Sequence, residues 1–557
     1  MVSKLPNGPG VYNKKFFEKF YHNKKVVLGN FTLSHVSEEK VYKLLNKLGA
    51  NKATGLDGLP ARFIKDSIDY IVKPITFIVN IYISTGVVPA DLKTARVVPL
   101  FKKSDKTQPG NYRPVSILSV VSKIVEKVVY EQVETYLNDK GLLYEFQSGF
   151  RPGYSTDTTL IYLSDYIKRQ MDTRNYTGVV LIDLQKAFDT VDHNILLDKL
   201  YAVGLNSMAI NWFRSYLTGR FQVVDVQGVH SDYSEITCGV PQGSILGPLL
   251  FLLYVNDMKS SVECELILYA DDSILIATGK CIKDIETKLS ENMLKLSHWL
   301  QDNKLSLHLG KTESILFATK SMLKKQNSLN VTCGDTKVGS VESVKYLGAH
   351  LDQSLCGEKM ADSVIKKTNS KLQFLYRKGK FLSMHAKKLL VSSLIQCHFD
   401  YSCSYWYSGL SKKSQNKLQS AQNKLIRFIL GLEYRACVSC DEFVMLNWLP
   451  VHIRVEQIKL HHFHRIVYNT APKYLTDTIT FTADLHTYNT RSKNKSVMLP
   501  RVKGIGQNSY SYTATKHWNN LPENIKSTSD LPKFKLLVKN HLLSNYVSNY
   551  NNPFQFY

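Results

Sequence analysis

Residues 265–278 read ELILYADDSILIAT, two apolar runs closed around a pair of adjacent aspartates. Two short apolar runs about a tight polar centre predict a β-hairpin, with Asp271 and Asp272 at or beside its turn. Upstream, Gly178–Leu184 reads GVVLIDL, a nearly continuous apolar run of the kind found in a strand covered on both faces, with Asp183 at its end. Carboxylates near a core are costly unless something compensates them, and divalent cations do so. If the two elements are neighbours in one sheet, Asp183 and Asp271 face each other. Two hard-oxygen ligands on a rigid platform suit two Mg²⁺ ions about 3.5–4 Å apart, the arrangement for in-line phosphoryl transfer. Aspartate also favours ordinary turns, so the hairpin alone leaves both readings open.

Composition narrows the partners. The 557 residues carry 71 Lys+Arg against 47 Asp+Glu, a formal charge of +24. Hydrophobic residues at 44 % and charged residues at 21 % exclude a mainly disordered chain, a collagen-like chain and a coiled-coil rod. The excess is uneven: residues 351–557 hold 29 Lys+Arg and 12 Asp+Glu, residues 1–350 hold 42 and 35. A basic region of this kind fits a polyanionic partner such as nucleic acid, or simply a solvated surface. The N-terminal MVSKLPNGPG has no apolar core, so no signal peptide is expected, and the longest apolar run, Ile245–Val255, is too short to span a bilayer. The expectation is an intracellular chain. Nine scattered cysteines fit reduced thiols. Cys437 and Cys440 with His461 and His464 have the wrong spacing for a zinc finger, and zinc is not expected.

Along the chain, residues through about Asn30 read as linker. Ser37 is a predicted N-cap, followed by Val41, Leu44, Leu45 and Leu48 at helical spacing. A second helix is predicted over 61–85, a strand over 95–101, helices over 120–140 and 195–200, and an amphipathic helix carrying Ile282 through Leu300. Short strands are predicted over 306–309, 314–318 and 343–351, then basic helices over 360–378, 383–400 and 411–431.

Eight segments, in order, resemble the motifs of non-LTR (LINE-type, Jockey-like) retrotransposon reverse transcriptases: NKATGLDGLPARFIK; ARVVPLFKKSDKTQPGNYRPVSIL; QSGFRPGYST; LIDLQKAFDTVDH; CGVPQGSILGPLLF; YADD; NKLSLHLGKTESILF; and VKYLGAHLD. The resemblance implies roles residue by residue. Asp183, Asp271 and Asp272 are the catalytic acids, with Asp183 and Asp271 as metal ligands. Lys103 and Arg113 lie near the incoming triphosphate, and Arg113 is the firmer placement because three lysines crowd together. Phe188 blocks a ribose 2′-hydroxyl, and Gln242 contacts the nucleotide or the nascent pair. Arg151 and Gly243 meet template or nucleotide. Tyr346, Leu347 and Gly348 form a primer-grip turn. Lys311 is the candidate proton donor to pyrophosphate, with a plain surface lysine as the simpler alternative. Asp189 and Asp192 follow the strand and are expected to cap or to face solvent.

The expected fold is therefore α+β, a right-hand polymerase with fingers, a palm built on an antiparallel sheet, a helical thumb and a mostly helical C-terminal region. The expected divisions are 1–34 as linker or N-terminal remnant, 35–94 as a helical extension of the fingers, 95–355 as fingers and palm, 356–432 as thumb, and 433–557 without an assigned role. Expected partners are an RNA template, a DNA primer and deoxynucleoside triphosphates, with no membrane. Two Mg²⁺ ions, or Mn²⁺, are the expected cofactors, and the resemblance implies a cytoplasmic protein with access to the nucleus. It also implies an N-terminal endonuclease, for which the residues before the first motif leave no room. Two rivals stay open: a remnant that only binds RNA, and an RNA-copying RNA polymerase, against which Phe188 speaks.

Overall fold

The apolar runs of the sequence form the middle of a five-stranded sheet. Strand β1 (Tyr176–Ile182) lies at its centre, and the two runs of the hairpin form β2 (Glu265–Tyr269) and β3 (Asp272–Gly279). With β4 (Glu313–Phe317) and the short strand Gly339–Ser340, the order is 339–340, β4, β1, β3, β2. β1 runs antiparallel to both β3 and β4. The computed structural model describes residues 15–551 apart from 25, 380 and 485–494.

The lack of alternation in these strands follows from what covers them. Val180, Ile182, Leu268 and Leu275 point into one core, whereas Val179, Ile267, Ile274 and Ile315 point into another. Helices α1 (Val120–Asp139), α3 (Leu246–Tyr254) and α4 (Ile282–Asp302) close the first core, and α2 (Thr156–Asp172) with the helices of 358–446 closes the second. The predicted amphipathic stripe is the buried face of α4: Ile285, Leu289, Met293, Leu296 and Leu300 are all at most 1 % exposed. A second sheet pairs Tyr112–Ile117 with Thr94–Phe101, which in turn runs parallel to Arg220–Val226. The class is thus α+β.

Buried polar groups fix the first core. Lys199 Nζ lies 2.7 Å from Asp257 Oδ1, and Trp299 Nε1 donates to Asp257 Oδ2 at 3.1 Å, all three side chains inside the protein. Glu126, on α1, accepts from Tyr216 Oη at 2.9 Å and from the backbone N–H of Ile245 at the head of α3, where a carboxylate complements the helix dipole.

Several elements differ from expectation for local reasons. The stretch through Asn30 holds a helix, Lys15–Asn23, whose Phe17 and Tyr21 are buried, with Tyr21 Oη accepting from Asn256 Nδ2 at 2.9 Å. Its first fourteen residues lie outside the described ones. The helix over 61–85 breaks at Ser67 into Ala61–Asp66 and Ile68–Thr85. Residues 306–309 form no strand. They cross the end of β1, with Gln185 N–H donating to Ser306 O and His308 N–H to Asp183 O, both at 2.8 Å, and then turn at Leu309–Lys311. The helix over 383–400 is interrupted by a wider turn at Ser392–Gln396. Ser37 caps its helix as expected, accepting from Lys40 N–H.

The C-terminal region is helical, with Val451–Val467, Tyr510–Asn519 and Leu531–Asn551 around Phe463, Trp518 and Phe534. It docks on α2 through three charged residues on that helix's buried side. Asp165 accepts from the N–H groups of Tyr510 and Ser511, both at 2.7 Å. Lys168 Nζ donates to Tyr405 O at 3.2 Å and to Asn508 O at 2.9 Å. Asp172 accepts from Lys503 and Gly506 N–H, both at 2.9 Å. No helix of the described residues is long and apolar enough to cross a membrane.

Candidate active site

Sheet register brings the acids together. Ile182 of β1 pairs with Ser273 of β3, so one step further along the same register sets Asp183 across from Asp272. Tyr269 pairs with Asp272, which leaves Ala270 and Asp271 as a two-residue turn. Asp271 is therefore at the tip and Asp272 opens β3, and the Asp183 charge acts on both.

The three carboxylates repel one another. Burial raises the Asp271 carboxyl above its usual range, the Asp183 charge raises it further, and Arg113 and Lys102 oppose the rise. Asp272 is pushed up to about 6, first by burial and then by the charges of Asp271 and Asp183. Both side chains meet solvent at the mouth of the site, yet protein crowds them on their other sides. The nearest basic group to Asp183 is Lys311, with Nζ 3.7 Å from Oδ2. Among the described residues, no group of three or more His, Cys, Asp or Glu side chains is placed to hold a metal ion. The donor chemistry still suits a hard divalent cation: clustered carboxylate oxygens whose mutual repulsion a cation relieves.

The turn carries backbone strain. Ala270 has φ 56°, a left-handed conformation that costs a non-glycine residue of order 1–2 kcal/mol. Phe150 (54°), Lys186 (46°) and Leu347 (46°) share it. Gln147, buried in the preceding loop, holds the turn: its Oε1 accepts from the N–H groups of Ala270 and Gly149, both at 2.9 Å. Residues 146–148 also pair with β2, Leu268 N–H donating to Phe146 O at 3.0 Å and Ser148 N–H to Leu268 O at 2.8 Å. Gly149 makes the approach feasible, since a Cβ there would lie 2.4 Å from Ala270 N.

The remaining predicted residues fall into two groups. Facing the acids is Arg113, exposed on the strand Tyr112–Ile117. Beside it, Lys102 rather than Lys103 acts on Asp271 and Asp189; Lys103 is exposed on the same loop. Phe188 stacks on Phe251 (centroids 4.3 Å apart) and meets Phe150 edge-on. Gln242 donates from Nε2 to Asp189 Oδ1 at 2.7 Å, and its carbonyl accepts from Ser116 N–H at 2.7 Å. Gly243 has φ 129°, and a Cβ there would lie 2.3 Å from Ser116 O, so the loop and the second sheet touch backbone to backbone.

Turned into the protein are Arg151 and Tyr346. Arg151 Nη1 donates to Tyr144 O and Gln147 O, both at 3.0 Å, and the guanidinium lies over Tyr154, so its contacts are with its own loop. Tyr346 is buried with its hydroxyl unpartnered, and burial followed by the Asp272 charge holds that hydroxyl well above its usual pKa. Leu347 and Gly348 form the turn between Ser343–Tyr346 and Ala349–Asp352, where Leu347 O accepts from Tyr401 Oη.

Asp192 caps His193–Ala202 as expected, accepting from Asn194 and Ile195 N–H. Asp189 does not face solvent: it is half-buried against Gln242, and burial raises its carboxyl. Cys440 and His464 lie in the protein while Cys437 is exposed, and His464 Nε2 pairs with Thr528 O at 2.8 Å. Gln147 and Ser148 were missed as site residues. The available signal was a polar Gln-Ser pair between Phe146 and Gly149.

A family model described as reverse transcriptase (RNA-dependent DNA polymerase) matches residues 101–351. The probable RNA-directed DNA polymerase from transposon X-element of Drosophila melanogaster is 27 % identical over 406 residues, covering 71 % of this chain and 44 % of that protein. The RNA-directed DNA polymerases from mobile element jockey of Drosophila funebris and Drosophila melanogaster are 26 % and 28 % identical, over 71 % and 72 % of this chain and 44 % of each relative. The chain thus spans less than half the length of these relatives. Residues 101–351 thus match a reverse transcriptase model, and the chain is similar to the RNA-directed DNA polymerases of the jockey and X-element transposons.

Proposed function

We propose that this chain is an RNA-directed DNA polymerase of a non-LTR retrotransposon, adding deoxynucleotides to a DNA primer on an RNA template. The observation that carries the proposal is the register that sets Asp183 against Asp272, with Asp271 at the adjoining tip and Arg113 and Lys102 bearing on it. Uncompensated, such a cluster costs stability, and a phosphoryl-transfer centre is a setting in which that cost has a use.

In this reading Asp183 and Asp271 hold divalent ions, two Mg²⁺ or Mn²⁺ in their place. Bound there, the ions neutralise the triphosphate and make the primer hydroxyl more acidic. The chain's own groups do the rest. Arg113 and Lys102 contact the triphosphate and offset its charge. Phe188, fixed by its stack on Phe251, excludes a 2′-hydroxyl by contact. Asp189 fixes the side-chain amide of Gln242 toward the nascent pair, and Lys311 offers a proton to the departing pyrophosphate. Residues 95–355 act as fingers and palm, and the basic helices of 356–432 act as a thumb whose lysines track phosphates with salt-dependent affinity.

The test is primer extension on poly-A RNA with Mg²⁺. The purified chain should extend the primer, and Asp183→Ala and Asp271→Ala should abolish extension while leaving RNA binding intact. Extension by either variant refutes the roles of those acids. RNA binding without extension by the parent chain favours a remnant that only binds.

A further inference from the structure

The C-terminal region has no assigned role, yet one of its side chains reaches the support of the catalytic turn. Tyr474 belongs to the short helix Lys473–Thr476 and is buried. Its hydroxyl lies 3.0 Å from Ser148 Oγ and 3.1 Å from Thr158 Oγ1. Its ring stacks on Phe146, with centroids 5.8 Å apart and planes 13° from parallel. Phe146 and Ser148 flank Gln147, the residue whose side chain holds Ala270. A second contact braces the same loop from the same region, where Arg465 Nη2 donates to Gly153 O at 2.6 Å.

We infer that Tyr474 is a positioning residue for the catalytic turn: through Ser148 and Phe146 it fixes Gln147, and Gln147 keeps Ala270 in the strained conformation that places Asp271 and Asp272. The need for an outside brace is physical. Ala270 pays for its positive φ only if neighbouring groups over-determine it. Gln147 does so with one acceptor oxygen, while its Nε2 is buried without a partner, so the amide is not fixed from both ends. What keeps the loop from rotating is the pairing of residues 146–148 with β2 on one side, Tyr474 on the other, and the hydrogen bonds of Arg151 to Tyr144 O and Gln147 O within it. The catalytic half of the chain is in this sense finished by a residue 326 positions after Ser148.

The kinetic part of the test rests on the polymerase reading, and the exchange part does not. Tyr474→Phe removes only the hydroxyl and keeps the ring on Phe146; Ser148→Ala removes the other end of the same hydrogen bond. In each variant of the full chain, amide exchange over residues 266–272, followed by mass spectrometry, should quicken about fivefold, the size of one net hydrogen bond. The double variant should be no faster than the singles. Single-nucleotide addition should show kcat lowered about fivefold, with the nucleotide KM and the thermal midpoint held, a split that general loosening of the C-terminal region would not produce. Unchanged exchange over 266–272 in both variants overturns the inference. So does a lowered thermal midpoint with kcat intact. A parent chain without any primer extension overturns the polymerase reading alone, and the exchange comparison then decides the inference.

Discussion

Replacing Asp272 by asparagine should make this protein more stable, and only at neutral pH. An acid whose folded-state pKa lies above its unfolded value favours folding while protonated and loses that advantage as pH rises through the folded pKa. For Asp272 the window runs from its ordinary 3.8 to about 6. At pH 7.5 the ionised side chain is partly desolvated and sits beside Asp183 and Asp271, together a penalty of about 3 kcal/mol were the group fully enclosed. The side chain meets solvent at the mouth of the site, so screening reduces this to about 1 kcal/mol. The assay is thermal unfolding of the parent chain and Asp272→Asn in EDTA at pH 7.5, 6 and 4. The variant should unfold about 2 °C higher at pH 7.5, the gap should narrow near pH 6, and it should close by pH 4. Adding Mg²⁺ should then raise the parent midpoint more than the variant's, because the ion relieves the repulsion that the substitution has already removed. A variant less stable than the parent at pH 7.5, or a gain of equal size at pH 4, refutes the account of the acids as mutually repelling.

Gly149→Ala places a Cβ against the Ala270 amide, at 2.4 Å, so the catalytic turn must move; single-nucleotide addition should fall about a hundredfold while RNA binding persists. Asp257→Ala leaves Lys199 buried without its carboxylate, and should cost about 3–5 kcal/mol in denaturant unfolding of the first core. Phe188→Ala should admit ribonucleotides, read as the ratio of ribo- to deoxynucleotide incorporation; an unchanged ratio removes Phe188 from sugar selection.

The legible part of the fold was the part set by short-range pattern. The apolar runs around YADD, the run ending at Asp183 and the stripe of Ile285 to Leu300 needed only strand and helix periods to be placed. Ser37 and Asp192 needed only cap chemistry. The illegible part depends on partners far away in sequence. Gln147 reads as a loop polar until β2 lies beside it, and Asp189 reads as solvent-facing until Gln242, 53 residues on, closes over it. Asp165, Lys168 and Asp172 flank a stripe of Leu160, Leu163, Ile167 and Met171, and their burial appears only once residues 503–511 cover them. The strand expected over 306–309 failed for the same kind of reason: its hydrogen bonds go across the end of β1, to Asp183 and Gln185, and stop there.

The docking of the C-terminal region on α2 also sets an order of events during synthesis. Lys168 and Asp165 leave the ribosome some 340 residues before Asn508, Tyr510 and Ser511, the groups that satisfy them. At about 5–20 residues per second, that is tens of seconds in which two charges on the sheet-facing helix lack those partners. The contact between α2 and the C-terminal region therefore closes last, and chains stopped short of residue 511 should be held by chaperones or degraded even though Asp183, Asp271 and Asp272 have all been made. The polar side of α2 is thus completed by residues made some 340 positions after it.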